Sequence, residues 1–256
     1  MTRPIPLPLE EQIILQGNAT DRFSRSKILF GQYYEKIINS RVLLLGTGGV
    51  GGFVLDALYR TGLKHITIVD KDCFDISNQN RQIGSERVGE PKVRVLEQMY
   101  EGVKGIQETL DENLIEVLGL NQQIIDYDYV VDAIDDIDAK ILLAKACEKM
   151  PYGRYISSMG SGKRINPLNI RVGNIWATHG DKFARKFRLL LKKADFNGNF
   201  KVVFSIEHAN CNLLGSFEGV TASFGLQIAS EIIQDIIIRE NRCVLQQQPQ
   251  QAQTDI

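Results

Sequence analysis

The sequence predicts an α/β protein: a Rossmann-like, doubly wound and mostly parallel sheet with a C-terminal α+β extension. A compact apolar run at 41–45 ends in a glycine-rich loop, and apolar residues at helical spacing follow at 50–60. This is typical of a buried parallel strand and its crossover helix. Strand-like and helix-like segments alternate up to Met159, as they do in βαβ units. From about residue 160 the pattern changes to short strands around a basic helix, followed by one long helix.

The same patterns place the elements in chain order. Strands are predicted at 41–45, 65–70, 129–134, 155–159, 170–172 and 202–206, and helices at 50–60, 90–100, 139–150, 181–194 and 219–239. Residues 104–126 fit neither period clearly. The Gln-rich end of the chain predicts a disordered tail at 245–256, and the proline-containing start predicts a loose N-terminal leader at 1–20.

The composition limits the possible functions. The 256 residues are 43% hydrophobic, which is enough for a sizeable core, and the net charge is −1. Any contact with nucleic acid must therefore come from a local basic patch. No apolar run is long enough to span a membrane, so no membrane partner is expected. The four cysteines form no CxxC pair, so the usual structural-zinc spacing is missing and a cytoplasmic protein with reduced thiols is expected.

A glycine loop follows the first predicted strand. Residues 46–51 read GTGGVG, a GxGxxG pattern between a strand and a helix. Glycines there permit a tight turn and let backbone N–H groups approach phosphates at the helix N-terminus. Asp70 ends the next strand, where a carboxylate can accept ribose hydroxyl protons. These features fit any adenine nucleotide, including NAD, and a glycine turn without a ligand is the alternative.

Three charged residues favour ATP over NAD. Arg81 follows the second strand, Lys92 opens the next helix, and Asp135 follows the strand at 129–134. A triphosphate needs cations and usually a hard divalent metal, which a carboxylate helps to bind. Taken singly, each is equally well explained as a surface loop residue, a solvated helix residue or a helix cap. Their combination, in this order, favours a charged triphosphate.

Five motifs resemble the adenylation motifs of the ThiF-like and ubiquitin-activating enzymes. They are RFSR (22–25), GTGGVGG (46–52), VDKDCFDISNQNRQ (69–82), VGEPK (88–92) and VVDAIDD (130–136). The resemblance implies that a substrate carboxylate attacks the α-phosphate of ATP, which gives an acyl-adenylate and pyrophosphate. It makes 21–160 the ATP-binding adenylation region and 161–244 a substrate- and tRNA-facing extension of the same domain.

The resemblance also implies roles for individual residues. It implies a phosphate loop at Gly46, Gly48, Gly49 and Gly51, a ribose site at Asp70 with Asp72 close by, and phosphate contacts from Asn78, Arg81 and Lys92. It implies that Asp135 binds Mg²⁺. Arg25 matches an arginine that reaches into the neighbouring subunit's site, so a homodimer is expected. The implied catalytic residues are Arg25, Arg81, Lys92 and Asp135.

The C-terminal half is similar to the tRNA threonylcarbamoyladenosine dehydratases. The similarity lies in 157–175, 177–193, 202–207 and 219–233. It implies adenylation of the carboxylate of the threonylcarbamoyl group on adenosine 37 of a tRNA, followed by attack of a urea atom that closes a ring and expels AMP. The implied cofactors are ATP and Mg²⁺, and a monovalent cation is left open.

A basic amphipathic helix is the candidate tRNA surface. The apolar residues Phe183, Phe187, Leu190, Leu191 and Ala194 fall on one side of it, and the basic residues Lys182, Arg185, Lys186, Lys192 and Lys193 fall elsewhere. Such a face attracts phosphates, and Lys163 and Arg164 are predicted to extend it. An ordinary solvated face is the alternative.

Three other functions stay open: an activator of a carrier protein, a nucleotide-binding scaffold and, as the weakest option, a nicotinamide oxidoreductase. The same ATP site serves activators of ubiquitin-like or sulfur-carrier proteins, so a sulfur-transfer or carrier protein is a further candidate partner. The absence of two CxxC pairs disfavours that branch. Cys211, near His208, is either a catalytic thiolate or an inert loop thiol. A nucleotide-binding scaffold without catalysis is disfavoured because the implied catalytic residues are present.

Overall fold

A seven-stranded sheet forms the centre of the computed structural model, which describes residues 21–122 and 125–247, without the side chains of 242–247. The strands are β1 (Arg41–Leu45), β2 (His65–Val69), β3 (Lys104–Ile106), β4 (Tyr129–Asp132), β5 (Tyr155–Ser158), β6 (Ile170–Asn174) and β7 (Lys201–Ser205). Their order is β3-β2-β1-β4-β5-β7-β6. Every neighbouring pair is parallel except β6 and β7. The predicted fold class is confirmed.

Eight α-helices are present in the described part of the chain. They are α1 (Ser24–Phe30), α2 (Tyr34–Ile38), α3 (Gly51–Thr61), α4 (Lys92–Met99), α5 (Glu112–Val117), α6 (Ile137–Ala146), α7 (Lys182–Lys193) and α8 (Glu218–Gln247). Short 3₁₀ turns lie at Gly31–Tyr33, Ile76–Asn78, Pro167–Asn169 and Ile175–Ala177. Within the described ranges, no helix combines the length and apolar character that crossing a membrane requires.

Alternation along the strands sends side chains to two separate cores. In β1, Val42 and Leu44 join the core that contains Phe224 of α8, whereas Leu43 and Leu45 join the core that contains Phe187 of α7. The period of two that produces this split is the one expected of a strand. The helices α3, α4 and α8 therefore cover one face of the sheet, and α5, α6 and α7 cover the other.

The order of the strands creates one crevice. β1 lies between β2 and β4, and the helices that follow β1 and β4 pack on opposite faces. In open α/β sheets, ligands bind at such a switch point, outside the carboxyl ends of the strands. The glycine loop after β1 and the segment 133–136 after β4 both lie at this place.

Several element boundaries differ from those predicted. The ambiguous stretch 104–126 contains β3 and α5, which are only three and six residues long. The last helix continues to Gln247, so the tail predicted from residue 245 begins inside a helix. The predicted leader, 1–20, and the rest of the predicted tail, 248–256, lie outside the described residues.

The last helix packs directly on the first crossover helix. A Cβ atom at Gly225 of α8 would lie 2.4 Å from the carbonyl oxygen of Val50 and 2.9 Å from Cβ of Phe53. Glycine in a helix interior normally costs about 0.5–1 kcal/mol relative to alanine. Here it permits a close approach between α8 and the first turn of α3, so the C-terminal helix supports the start of the helix that follows the glycine loop.

Candidate active site

Two glycines allow the loops after β1 and β4 to meet. Gly46 has φ +86°, and a Cβ atom there would lie 2.6 Å from the carbonyl oxygen of Ala133. A Cβ atom at Gly51 would lie 1.9 Å from the carbonyl oxygen of Gly46. Both positions therefore require glycine for reasons of backbone packing. The sequence singled them out for phosphate binding, and the structure gives them this additional role.

The other two glycines face side chains. A Cβ atom at Gly49 would lie 3.1 Å from Cγ of Arg81 and 3.2 Å from Oγ1 of Thr221. A Cβ atom at Gly48 would lie 3.6 Å from Nε2 of Gln82, which is ordinary contact. The structure thus brings Arg81 directly against the glycine loop.

Gln82 and Thr221 are site residues that the sequence reasoning missed. Gln82 is buried, and within the described part of the chain its Oε1 has no hydrogen-bond partner. Thr221 belongs to α8, 170 or more residues after the glycine loop, and it is also buried. Only the position of Gln82 inside the NQNRQ motif was a usable signal.

Asp70 fastens the glycine loop to the end of β2. Its Oδ2 accepts hydrogen bonds from the backbone N of Thr47 at 2.7 Å and from Oγ1 of Thr47 at 2.9 Å. Its Oδ1 accepts a bond from the backbone N of Asp72 at 2.9 Å. A carboxylate offers about four acceptor positions, so one remains for a ribose hydroxyl. The exposed Asp72 lies close by, and the ribose role of both stays a prediction.

Arg81 and Asn78 stand in a short turn beside the loop. Nη1 of Arg81 donates to the carbonyl oxygen of Ser77 and to Oδ1 of Asn80, both at 2.8 Å. Oδ1 of Asn78 accepts a bond from the backbone N of Asp75 at 3.0 Å, which closes a capping box. Asn78 therefore shapes the turn that presents Arg81.

Lys92 also lies near the end of β2, beside Asp72, but it is buried. It is 6% exposed, and its Nζ lies 3.4 Å from Oδ2 of Asp72. Its backbone N also donates to the carbonyl oxygen of Asp72 at 3.0 Å. The structure therefore brings Lys92 to the carboxylate of Asp72, and its contact with phosphate stays a prediction.

Asp135 is exposed at the tip of the segment after β4. Its neighbour Asp136 caps α6, because its Oδ1 accepts bonds from the backbone N atoms of Asp138 and Ala139. Bonds from Ala139 and Asp138 hold the pKa of Asp136 below its ordinary value. Asp136 is thus engaged as a helix cap, whereas Asp135 is exposed, and the Mg²⁺ role of Asp135 stays a prediction.

The site supplies few oxygen ligands of its own for a metal. Across the described ranges, no group of three or more His, Cys, Asp or Glu side chains is arranged to hold an ion. Mg²⁺ commonly keeps several waters and binds through one or two carboxylates plus substrate phosphates. A single exposed Asp135 beside a phosphate loop fits that donor set.

A buried polar network beneath Asp135 was not foreseen from the sequence. Nζ of Lys140 lies 2.8 Å from Oδ1 of Asp132, and the two side chains are 1% and 0% exposed. Oδ2 of Asp132 accepts bonds from Oγ of Ser157 at 2.6 Å and from the hydroxyl of Tyr155 at 3.0 Å. Lys140 is the one charged residue in the run 139–144, AKILLA, and the sequence reasoning did not identify its burial.

The basic helix α7 has the predicted two-sided character. Ala184, Phe187 and Leu191 are buried. The five basic residues predicted for the tRNA surface, Lys182, Arg185, Lys186, Lys192 and Lys193, are all exposed. The first turn of α7 lies near the crevice, because a Cβ atom at Gly160, just after β5, would lie 3.2 Å from Cβ of Phe183.

Arg164 occupies a different environment from the one predicted. It is 9% exposed, its Nη2 lies 3.0 Å from Oδ2 of Asp181, and its Nε donates to the carbonyl oxygen of Glu207. Lys163 is half-buried, with φ +65°, and its Nζ donates to the carbonyl oxygen of Asn212 at 2.5 Å. Both cations are therefore used to join the loop at 160–165 to the segment at 207–215.

Arg25 lies at a distance from the glycine loop of its own chain. Arg25 is exposed on α1, and α1 begins beside the far end of α3, since a Cβ atom at Gly62 would lie 3.4 Å from Cδ1 of Phe23. The 11 residues of α3 separate that end from the glycine loop by about 16 Å.

Cys211, the candidate thiolate, is exposed. Its Sγ donates to the carbonyl oxygen of Leu213 at 3.1 Å.

Comparison with known proteins identifies the family. A sequence profile of the ThiF family matches residues 21–252. The chain belongs to the ThiF family.

Two relatives of this ThiF-family chain bear on its activity. It is 37% identical over 191 residues to a tRNA threonylcarbamoyladenosine dehydratase of Bacillus subtilis (strain 168), a match that spans 73% of this chain and 75% of the relative. The solved structure of the E. coli tRNA N6-threonylcarbamoyladenosine dehydratase TcdA in complex with ATP superposes with a TM-score of 0.77 at 28% identity, over 86% of this chain and 96% of that one. The resemblance found in the C-terminal motifs is therefore confirmed.

A third relative represents the other branch of the family. The sulfur carrier protein adenylyltransferase of Thermus thermophilus is 32% identical over 146 residues, which is 49% of this chain and 51% of that protein. This match covers a smaller share of this ThiF-family chain than the 73% covered by the dehydratase of Bacillus subtilis.

The two kinds of glycine predict different effects of substitution. We expect Gly51→Ala to lower the free energy of unfolding by about 3 kcal/mol, because the new methyl group overlaps a carbonyl oxygen. We expect Gly48→Ala to change stability by less than about 1 kcal/mol, since its Cβ has room. It should still weaken ATP binding by roughly tenfold or more, because the methyl group stands between the backbone and a phosphate. Thermal unfolding and calorimetric ATP titration measure the two effects. Wild-type ATP affinity in Gly48→Ala would show that phosphate does not approach the loop there.

Proposed function

We propose that this protein catalyses the ATP-dependent dehydration of threonylcarbamoyladenosine at position 37 of tRNA. The observation that carries the proposal is the crevice at the switch point of the sheet, where Arg81 packs against the glycine loop and the segment that bears Asp135 rests against Gly46. The high coverage of the dehydratase relatives supports the choice of substrate.

The reaction has two steps in this site. The glycine loop and the start of α3 bind the phosphates of ATP through backbone N–H groups. Arg81, and Lys92 after leaving Asp72, offset the charge that builds up as a carboxylate oxygen of the substrate attacks the α-phosphorus and the bond to pyrophosphate breaks. A urea atom of the same substrate then attacks the activated carbonyl carbon, the bond to AMP breaks, and one proton is released.

Mg²⁺ is the metal we propose, with Asp135 as its protein ligand. When bound, it supplies positive charge to the phosphate oxygens. Asp135 is exposed beside Asp136, which is fixed as the cap of α6, and this supports its assignment as the ligand. We place the reaction in the cytoplasm, where thiols stay reduced, and the thiols of Cys73, Cys147 and Cys211 are free.

Pyrophosphate release tests the proposed reaction. Purified protein with Mg²⁺ and ATP should release pyrophosphate when tRNA carrying threonylcarbamoyladenosine is added. The same tRNA without the modification is the matched control, and it should give no release because it lacks the attacking carboxylate. Release that requires a carrier protein with a free C-terminal carboxylate, and not tRNA, would instead assign this chain to the protein-activating branch.

The exposed basic face of α7 is the proposed tRNA contact. It consists of Lys182, Arg185, Lys186, Lys192 and Lys193. We leave Arg164 out because its guanidinium is already bound inside the fold. The first turn of α7 is the part next to the crevice, whereas Lys193, 11 residues later, lies about 16 Å further along the helix. When the modified base of a tRNA lies in the crevice, the tRNA backbone can therefore lie along this face.

Neutralising this face should weaken tRNA binding without affecting ATP. We expect the triple change Lys182→Gln, Lys186→Gln and Lys193→Gln to flatten the slope of log affinity against log salt by roughly 2 to 3 units, since each lost phosphate contact contributes about 0.7–0.9. A salt titration of tRNA binding measures the slope, and an ATP titration checks that ATP binding is unchanged.

The matched control neutralises three exposed lysines outside α7, which lie on α2, just before β2 and on β3. We expect the variant with Lys36→Gln, Lys64→Gln and Lys104→Gln to keep the wild-type slope, because a change in net charge alone should not alter a local contact. Equal slopes for both triple variants and the wild type would remove α7 from the tRNA site.

We also propose a homodimer in which Arg25 completes the partner subunit's site. The position of α1 beside the far end of α3 supports this, since α3 extends about 16 Å from that end to the glycine loop. A symmetric pair of subunits would present the same arginine to both crevices.

Mixing two inactive variants tests the shared site. Arg25→Ala subunits combined with Asp135→Asn subunits should recover about a quarter of wild-type activity, because half of the dimers are mixed and each mixed dimer has one intact site. Arg22→Ala, which changes a neighbouring exposed arginine, should remain active by itself. A protein that is active as a monomer, or a mixture that gains nothing, would refute the shared site.

A further inference from the structure

The ion pair between Lys140 and Asp132 is the most deeply buried charge pair among the described residues. Lys140 also lies 3.2 Å from Oγ of Ser157, and Asp132 accepts bonds from Ser157 and Tyr155. A pair of this kind is expensive to desolvate, and apolar residues of similar volume are often as stabilising or more so. Its presence therefore calls for a role other than fold stability.

The pair holds both ends of the segment at 133–136. Oδ1 of Asp132 accepts a bond from the backbone N of Ile134 at 3.1 Å, so this carboxylate turns the chain as it leaves β4. Lys140 lies one helical turn after the other end, and its backbone N donates to the carbonyl oxygen of Asp136 at 3.1 Å. The ammonium group of Lys140 thus connects the first turn of α6 to the end of β4.

Asp135 is the exposed residue at the tip of this fastened segment. The segment rests against Gly46 on its other side, where the carbonyl oxygen of Ala133 occupies the space that a side chain would need. Burial lowers the pKa of Lys140, and the charges of Asp132 and Asp135 oppose this effect. Asp135 is therefore within electrostatic reach of the buried ammonium group.

We propose that Lys140 is a positioning residue for adenylation: through Asp132 and the start of α6 it holds Asp135 where a cation on the ATP phosphates is bound. The inference rests on the proposed function, in which Asp135 is the metal ligand. An ammonium group suits this task because it bonds at once to the carboxylate and the carbonyl oxygen of Asp132 and to the hydroxyl of Ser157. These bonds fix the segment that carries Asp135 from the interior of the fold.

Equilibrium ATP binding with Mg²⁺ and with EDTA tests the proposal without any turnover. The measured quantity is the factor by which Mg²⁺ tightens ATP binding, obtained by calorimetric titration. Lys140→Met keeps an unbranched side chain only one atom shorter and removes the ammonium group. We expect it to reduce the Mg²⁺ factor roughly tenfold, as changes behind a metal ligand typically do, while ATP affinity in EDTA stays unchanged.

Three further variants make the result decisive. Asp135→Asn should reduce the same factor, and the double variant should lose no more than Asp135→Asn alone, because both changes act on one ligand. Lys201→Met removes a half-buried pair with Glu231 at the amino end of β7, so it should lower stability yet keep the wild-type factor. If Lys140→Met does not fold, Ser157→Ala, which removes one donor to Asp132, should reduce the factor roughly fivefold.

The possible failures are distinct from one another. If Asp135→Asn lowers the Mg²⁺ factor but Lys140→Met and Ser157→Ala only lower the melting temperature, Lys140 has a structural role and the inference is wrong. If Lys140→Met lowers the factor further in the Asp135→Asn background, its effect does not pass through Asp135, and the inference is again wrong. If Asp135→Asn leaves the factor unchanged, the error lies in the proposed metal ligand.

Discussion

The whole site depends on the close approach of two backbone turns. The chain leaves β1 and β4, which are neighbours in the sheet, toward opposite faces, so the loops that follow them must pass each other at the carboxyl edge. They do so because Gly46 has no side chain, and a Cβ atom there would lie within 2.6 Å of the carbonyl oxygen of Ala133. The glycine loop becomes one wall of the crevice and the segment that bears Asp135 becomes the other.

The two most deeply buried ion pairs of the described residues each join separate segments of the chain. Lys140 is bound to Asp132 under the segment at 133–136, and Arg164 is bound to Asp181 under the start of α7. Lys140 thus fixes the segment that carries Asp135, and Arg164 fixes the start of the basic helix α7. A chain with a net charge of −1 can therefore offer a locally basic surface, because its inward cations are neutralised and those of α7 point outward.

The sequence was informative where the signal is local. The glycine loop, the strand before it and the carboxylates after β2 and β4 follow from spacing and period alone. Lys140 and Arg164 could not be placed in this way. Both are long basic residues, and their burial depends on Ser157 and Asp181, which are 17 residues further along the chain in each case. The three residues of β3 are likewise too few to establish a period.

The last helix reaches back to the first crossover. Gly225 of α8 lies against Val50, and Thr221 contacts Gly49, so the glycine loop is packed by residues made about 170 positions later. A chain is synthesised from its N-terminus, and its early segments begin to fold while later ones are still being made. On the ribosome, the loop and its strand emerge well before the helix that covers them. Nucleotide thus meets a finished pocket only once synthesis has passed α8, and a chain truncated before it leaves an apolar face of the sheet uncovered.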